Sequence, residues 1–291
     1  TVGGKYPSFL FLGVRKAFGR STASADFPHT GDDVRSMLSR IGADSLRDLY
    51  TDVPEDLVFK GQYDLPEAMS EQEVRDFFNS LQQKDIPLKV FVGAGAYDHY
   101  IPAIVRSIPA KEEFLTAYTP YQAEMSQGVL QSIFEYQTMI AELTGMDASN
   151  ASVYDGATAA AEAAAMCRDR KRRVTLISAT AHPDVINTVR TYCYGTNDEL
   201  VVVPAKDGKT DPDALKQLLN DGVASFYLQQ PNFYGLFEDA DALGEIVHAA
   251  GAMFVMGCNP IALAIMKTPR DSGADVAVGE GQPLGRFLIR N

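Results

Sequence analysis

The sequence predicts an α/β fold in which a mostly parallel sheet is flanked by helices. Two observations carry that expectation. Between Val174 and Met256, short apolar runs alternate with stretches of helical periodicity, the pattern of a parallel sheet covered on both faces. Ahead of them lie an amphipathic stretch, Ser126 to Thr144, and an Ala-rich one, Gly156 to Met166, both long enough to be covering helices.

In chain order, residues 1–25 hold the Gly3-Gly4 turn, an apolar strand-like run from Phe9 to Val14 and a basic exit at Arg15, Lys16 and Arg20. Residues 26–90 read as a helical lead-in region. Val34, Met37, Leu38 and Ile41 recur there at helical spacing, with Gly42 as a stop. Ser45 to Tyr50 makes a short helix before the Val53-Pro54 break. Ser70 and Glu73 form a capping-box pattern in front of Val74, Phe77, Phe78 and Leu81. Residues 91–291 make the large α/β domain. It opens on an irregular Gly-rich loop, Val92 to Tyr97, and continues into the helix of Ser126 to Thr144. Val129, Ile133, Phe134, Ile140 and Leu143 recur there at three- and four-residue steps, and Gly145 ends it. Strands are then expected at Val174 to Ser178, Leu200 to Val203, Ala224 to Leu228 and Met253 to Met256. Helices through Val185 to Thr191, Asp213 to Leu219 and Leu243 to Ala249 separate or follow them.

Composition narrows the function classes. Lys and Arg number 26 against 38 Asp and Glu, a net charge of −12, which argues against tracking nucleic-acid phosphates or an anionic membrane surface. The longest apolar runs, such as Phe9 to Val14 and Ile261 to Met266, are far shorter than the roughly 20 residues a bilayer span needs. The N-terminus lacks the order of a signal peptide, so a cytoplasmic location is expected. Cys167, Cys193 and Cys258 are widely spaced and odd in number, which fits free thiols in a reducing compartment. No CxxC or His-rich spacing points to a metal.

Three segments concentrate polar chemistry. In the first, Gly93 to Tyr100, two glycines free the backbone beside Tyr97 and His99. His99 reads either as a base or hydrogen-bond donor or as a loop histidine satisfied by a carbonyl. In the second, Tyr118 to Gly128, hydroxyls, amides and a carboxylate crowd one turn: Thr119, Tyr121, Gln122, Glu124 and Ser126. Ser126 is a candidate helix cap, and the remaining side chains suggest a ligand-facing loop. The third, Ser152 to Thr158, runs into the Ala-rich helix, whose first amides could hold an anion such as a cofactor phosphate. Asp155 could equally be a cap, and it would repel a phosphate.

The strings VGAGAYDHYIP at 92–102, AYTPYQAEMSQG at 117–128, FEYQTMIAELTGMD at 134–147 and YDGATAAAEAA at 154–164 occur in that order, followed by AHPD at 181–184, QQPNFYG at 229–235 and GADVAVGEGQPLG at 273–285. Together they resemble the first subunit of the glycine cleavage P-protein family, glycine dehydrogenase (decarboxylating), over about Asp32 to Gly285. The resemblance implies a fold type I pyridoxal-phosphate large domain whose usual C-terminal small domain is missing here. It also implies a partner-dependent subunit within an α2β2 heterotetramer. The partner, P-protein subunit 2, would bind the pyridoxal phosphate, and none would be covalently attached to this chain. Gln282 falls at the Schiff-base lysine position, where an amide forms no imine, and Met256 at the position of the aspartate that pairs with the pyridine. His182 falls at the ring-stacking histidine, and Tyr154, Asp155, Gly156 and Thr158 complete a vestigial cofactor pocket.

Glycine and the lipoyl H-protein are the implied substrate and second partner. Tyr97, His99, Thr119, Tyr121 and Gln122 are the residues expected to reach the partner's active site, with Glu124 and Ser126 supporting them. Residues 1–25 resemble the turn and strand that follow QPLG in relatives, which suggests a displaced strand, Phe9 to Val14, pairing near Asp275 to Gly279. Two other readings stand beside this one. A self-sufficient aminotransferase or decarboxylase of the same cofactor class would use another lysine such as Lys267, and a catalytically silent binding module would keep the fold alone.

Overall fold

The computed structural model describes residues 29–61, 64–66, 68–89, 91, 99–115 and 119–285. The expected strand Phe9 to Val14 and the side chain of Tyr97 lie outside the described residues. The chain divides into two compact units, Thr1–Val90 and Phe91–Asn291.

In the first unit, helix α1 spans Gly31–Ile41 and α2 spans Glu71–Gln82. Both start at reciprocal capping boxes. The Thr30 hydroxyl accepts from Asp33 N while the Asp33 carboxylate accepts from Thr30 N at 2.7 Å, and Ser70 and Glu73 repeat the arrangement. Each box satisfies amide donors that a helix start leaves unpaired. The Asp33 carboxyl is held below the usual range, chiefly by its hydrogen bond with the Thr30 side chain. Between the helices, Leu46–Tyr50 and Glu55–Leu57 form 3₁₀ turns. Arg47 ties them together through Tyr50 O, Val53 O and the Glu55 carboxylate.

The second unit opens with the short helices α3 (Ala103–Ser107) and α4 (Glu112–Leu115), then α5 (Gln127–Thr144) and α6 (Gly156–Cys167). Next come β1 (Val174–Ser178), α7 (Pro183–Thr196) and β2 (Glu199–Val203). A small hairpin of β3 (Ala205–Lys206) and β4 (Lys209–Thr210) leads to α8 (Pro212–Leu218) and β5 (Val223–Gln230). Helix α9 (Ala240–Ala249), β6 (Met253–Cys258) and β7 (Val276–Gly279) complete it. The strand order is β2-β1-β5-β6-β7, and every pairing in it is parallel.

Alternation along the strands divides the core into two layers. Phe226 and Leu228 of β5 join Phe254 and Met256 of β6 in a cluster with Leu215 of α8 and Leu243 and Val247 of α9. Tyr227 and Val255, the residues between them, join Ile177, four buried alanines of α6, and Val185 and Val189 of α7. Strand side chains point alternately to opposite faces, so one sheet fills both layers. The alanines of α6 let that helix lie close to the sheet.

Ser126 takes the N-cap position of α5, but its hydroxyl makes no capping bond. The backbone there sits at φ −118°, ψ 22°, away from the extended conformation that aims a capping side chain at the helix amides.

Candidate functional site

Parallel strands of an open α/β sheet deliver their carboxyl ends to one rim, where loops and helix N-termini converge. Here that rim gathers the exits of β1, β5, β6 and β7 and the start of α6. The start of α6 is an interlocked turn. Asp155 Oδ1 accepts from Thr158 N at 2.7 Å, and Thr158 Oγ1 accepts from Asp155 N at 3.1 Å. The next amide, Gly156 N, donates to Glu280 Oε2 at 2.9 Å, and Gln282 N donates to Glu280 Oε1 at 3.2 Å. Glu280 therefore bridges the exit of β7 to the head of α6. Gly279 permits that exit to run close to β6, since a β-carbon on it would lie 2.7 Å from Cys258 O.

His182 caps α7 at the exit of β1. Its Nδ1 accepts from Asp184 N at 3.1 Å and its own amide donates to Gln229 Oε1 at 2.7 Å. The Phe233 ring meets the His182 ring edge-on at 5.1 Å.

Phe233 belongs to QQPNFYG, which follows a cis Gln230-Pro231 bond. That loop is held by Glu238, whose residue is only 7% exposed. Its carboxylate accepts from Thr180 Oγ1 and Asn232 Nδ2 at 2.8 Å and from Thr210 N at 3.0 Å. Gln230 adds a reciprocal pair with the Glu238 backbone, at 2.8 and 3.1 Å. A buried carboxylate is costly unless donors saturate it, and here neutral donors do so. Glu238 thus fixes the loop that presents Phe233 to His182.

Beside this rim lies a cleft of about 530 Å³ between α5, α6 and β7. Ile140, Leu143 and Met166 supply apolar wall, and Asp155, Glu162, Asp275 and Glu280 supply carboxylates. Among the described residues that line it, none is Lys, Arg or His.

The structure brings Asp155, Gly156 and Thr158 together with Glu280 and Gln282, and it holds His182 at the β1 exit. It leaves Tyr154 94% exposed. Met256 is fully buried in the cluster under α8 and α9. In the turn before α5, backbone bonds from Tyr121 N to Thr119 O at 2.8 Å and from Ser126 N to Gln122 O at 3.0 Å fold the chain. Thr119, Tyr121, Gln122 and Glu124 remain exposed, while His99 and Ser126 are half-buried. Lys267 is hydrogen-bonded to Asp241. That bond, reinforced by the carboxylate's charge, holds its ammonium above the ordinary lysine range, the reverse of what an imine-forming amine needs. The sequence does not single out Glu238 and Glu280, because the partners that tie them to other elements, Thr210, Thr180 and Gly156, lie 28, 58 and 124 residues away. The GEGQ string on a strand exit was the one local sign of Glu280.

Among the described residues no group of His, Cys, Asp or Glu is placed to hold a metal, and no helix is long and apolar enough to cross a membrane.

A family model described as "Glycine cleavage system P-protein" matches residues 25–288. The chain is 49% identical over 265 residues to the probable glycine dehydrogenase (decarboxylating) subunit 1 of Carboxydothermus hydrogenoformans, covering 90% of this chain and 60% of that protein. It is 48% identical to the protein of the same description from Lysinibacillus sphaericus, covering 89% of this chain and 58% of the relative. A crystal structure of glycine decarboxylase (P-protein) of the glycine cleavage system, in inhibitor-bound form, superposes with a TM-score of 0.76 at 42% identity over 90% of this chain and 59% of that one. The chain therefore spans about 60% of the length of these relatives. A NifS-like protein, 12% identical with a TM-score of 0.52, shares the fold alone. The layered α/β architecture is that of fold type I pyridoxal-phosphate enzymes.

Proposed function

The chain belongs to the glycine cleavage system P-protein family, and from that premise we propose that it is the partner-dependent subunit of a glycine dehydrogenase (decarboxylating). In this reading a second P-protein subunit pairs with it as an α2β2 assembly in the cytoplasm. Glycine loses its carboxylate as carbon dioxide, and the aminomethyl carbon bonds to one sulfur of the lipoyl disulfide of H-protein. The second sulfur leaves and takes up a proton. Pyridoxal phosphate, held by the partner, supplies the electron sink.

The observation that carries this reading is the surface of α5 and of the turn before it. The helix has 18 residues, of which only Thr144 is buried. Phe134 and Met139 are 66% and 62% exposed, and Tyr121 and Met125 in the turn are 83% and 82% exposed. Apolar side chains exposed in this way among the described residues are of the kind that mark a protein interface, and the family supports a second P-protein subunit as the occupant. Across that interface Tyr97, His99, Thr119, Tyr121 and Gln122 would face glycine and the lipoyl arm, with Glu124 and Ser126 supporting the turn. Tyr121 and Gln122 bind and orient, and His99 holds or moves the proton required at the leaving sulfur.

The rim of this chain does not fit pyridoxal phosphate. The amides of Gly156 and Thr158 already donate to carboxylates, and the described residues lining the adjoining cleft include four acids and no cation. A phosphate dianion would meet repulsion there, which supports assigning the cofactor to the partner. Gln282 and Met256, at the lysine and aspartate positions of the pattern, and the remaining pocket residues Tyr154 and His182 are read as vestigial.

The test is to mix this chain with a lysine-bearing P-protein subunit and lipoyl H-protein and to follow carbon dioxide released from glycine. Release is expected from the mixture alone, reduced roughly tenfold or more by His99→Ala, with co-elution abolished by Phe134→Glu. Decarboxylation by this chain alone with added cofactor would overturn the proposal.

A further inference from the structure

Glu280 lies where an anionic ligand of α6 would lie. Helix α6 has 12 residues, and aligned peptide dipoles give such a helix start an affinity for negative charge. Its first free amide, Gly156 N, donates to Glu280 Oε2 at 2.9 Å. The fit is close on both sides. A β-carbon on residue 156 would stand in van der Waals contact with Glu280 Cβ and Glu280 N, at 3.4 Å from each, so the exit of β7 lies directly against the head of α6. The other carboxylate oxygen is held by Gln282 N at 3.2 Å. The side chain is thus gripped by one amide of its own turn and by one amide 124 residues away.

We infer that the Glu280 carboxylate is an internal anion that occupies the head of α6 and closes this chain to phosphate, making Glu280 a specificity residue of the rim. This inference concerns the chain's own binding and does not depend on the glycine reading. Glu280 supplies the negative charge that the helix start attracts, and it fastens β7 to α6 at the same time. Asp155 cannot take over that task, because its carboxylate is committed to Thr158 N at 2.7 Å. A phosphate entering the native rim would have to displace Glu280 and then sit beside it, with no cation among the described residues lining the cleft to neutralise the pair.

The consequence is specific. Removing the carboxylate should leave a vacant donor at α6 and a looser β7, and a free phosphate should restore both. The experiment uses the full chain as wild type, as Glu280→Ser, and as Glu162→Ser, which removes another acid of the same cleft without touching the helix start. Inorganic phosphate is titrated to about 10 mM against chloride of equal ionic strength, with melting temperature and phosphorus-31 line width as readouts. The expected result is that Glu280→Ser melts lower in chloride, recovers saturably with phosphate, and binds it at least roughly tenfold more tightly than the wild type. Wild type and Glu162→Ser should show no saturable response. Should Glu280→Ser fail to fold, Glu280→Gln keeps the shape and loses the charge, and it is expected to respond more than the wild type. The inference is overturned if the wild type binds phosphate as tightly as the variant, if Glu162→Ser responds equally, or if a folded Glu280 variant shows no response.

Discussion

Tyr227 and Gly257 share a single space between neighbouring strands: the Tyr227 hydroxyl lies 2.0 Å from where a β-carbon on Gly257 would sit. The ring belongs to β5, is buried, and fills the room that a side chain on β6 would need. Burial, with Cys258 adding to it, holds the phenol above its ordinary titration range, so it stays neutral. Gly257→Ala should cost about 2 kcal/mol through overpacking. Adding Tyr227→Phe should recover part of the loss, because the two changes act on one contact. Urea midpoints of the single and double variants measure this. An unchanged midpoint for Gly257→Ala would show that the ring can move aside.

Glu238 should be far more sensitive than its position in a loop implies. Glu238→Ala strands three donors, from Thr180, Asn232 and Thr210, and should lower stability by about 3 kcal/mol. The 231–237 loop should loosen with it, seen as faster amide exchange at Phe233, whose amide donates to Thr180 O. Exchange unchanged in a destabilised variant would separate the loop from the carboxylate.

Two thiols, the buried Cys258 and the half-buried Cys167, set an alkaline limit. Burial pushes Cys258 up to about 12, and burial followed by the charge of Asp275 pushes Cys167 up to about 11. In the unfolded chain both return toward 9.0. Between about 9 and 11 the unfolded state therefore releases protons that the folded state retains, and stability must fall as pH rises through that window. Replacing both cysteines by alanine should flatten the fall in thermal melts. At about pH 8 a disulfide reagent should modify the native thiols much more slowly than the unfolded ones.

Arg172 staples the amino-end side of the sheet. Its guanidinium donates to Val223 O at 3.1 Å, Ala250 O at 3.4 Å and Gly251 O at 2.5 Å. Arg172→Met keeps most of the apolar stem and loses the donors, so it should cost about 2 kcal/mol with an unchanged urea slope. A changed slope would place its effect in the denatured state.

What was legible in the sequence had a local cause. Helix α5 could be read from the spacing of Val129, Ile133, Phe134, Ile140 and Leu143, and it ends at Gly145 with φ +73°. The strands at 174–178 and 253–256 announce themselves as apolar runs, the second running on to Cys258 in the structure, and the parallel sheet follows from the helices between them. The β3–β4 hairpin went unread although Asp207-Gly208 carries its turn, both residues having positive φ, because strands of two residues hold too little pattern. Strand β5 runs on to Gln230 beyond its apolar stretch, its polar end being paid for by hydrogen bonds to β6 and Glu238. Of the candidate site, the α6 head and His182 were legible as motifs. The carboxylates that organise them were not, because nothing near Glu238 or Glu280 in sequence specifies partners so far along the chain.

The order of strands also bears on how the polypeptide is made. Strands β1 and β2 are adjacent in the sheet, but β5, which seals the other side of β1, emerges only after α7, β2, the hairpin and α8. At a ribosomal pace of roughly 5–20 residues per second, the first pair waits on the order of seconds with one margin bare. Helix α6, already synthesised and rich in alanine, is the element available to shelter it, so slowing translation between α7 and β5 should raise the yield of insoluble chain.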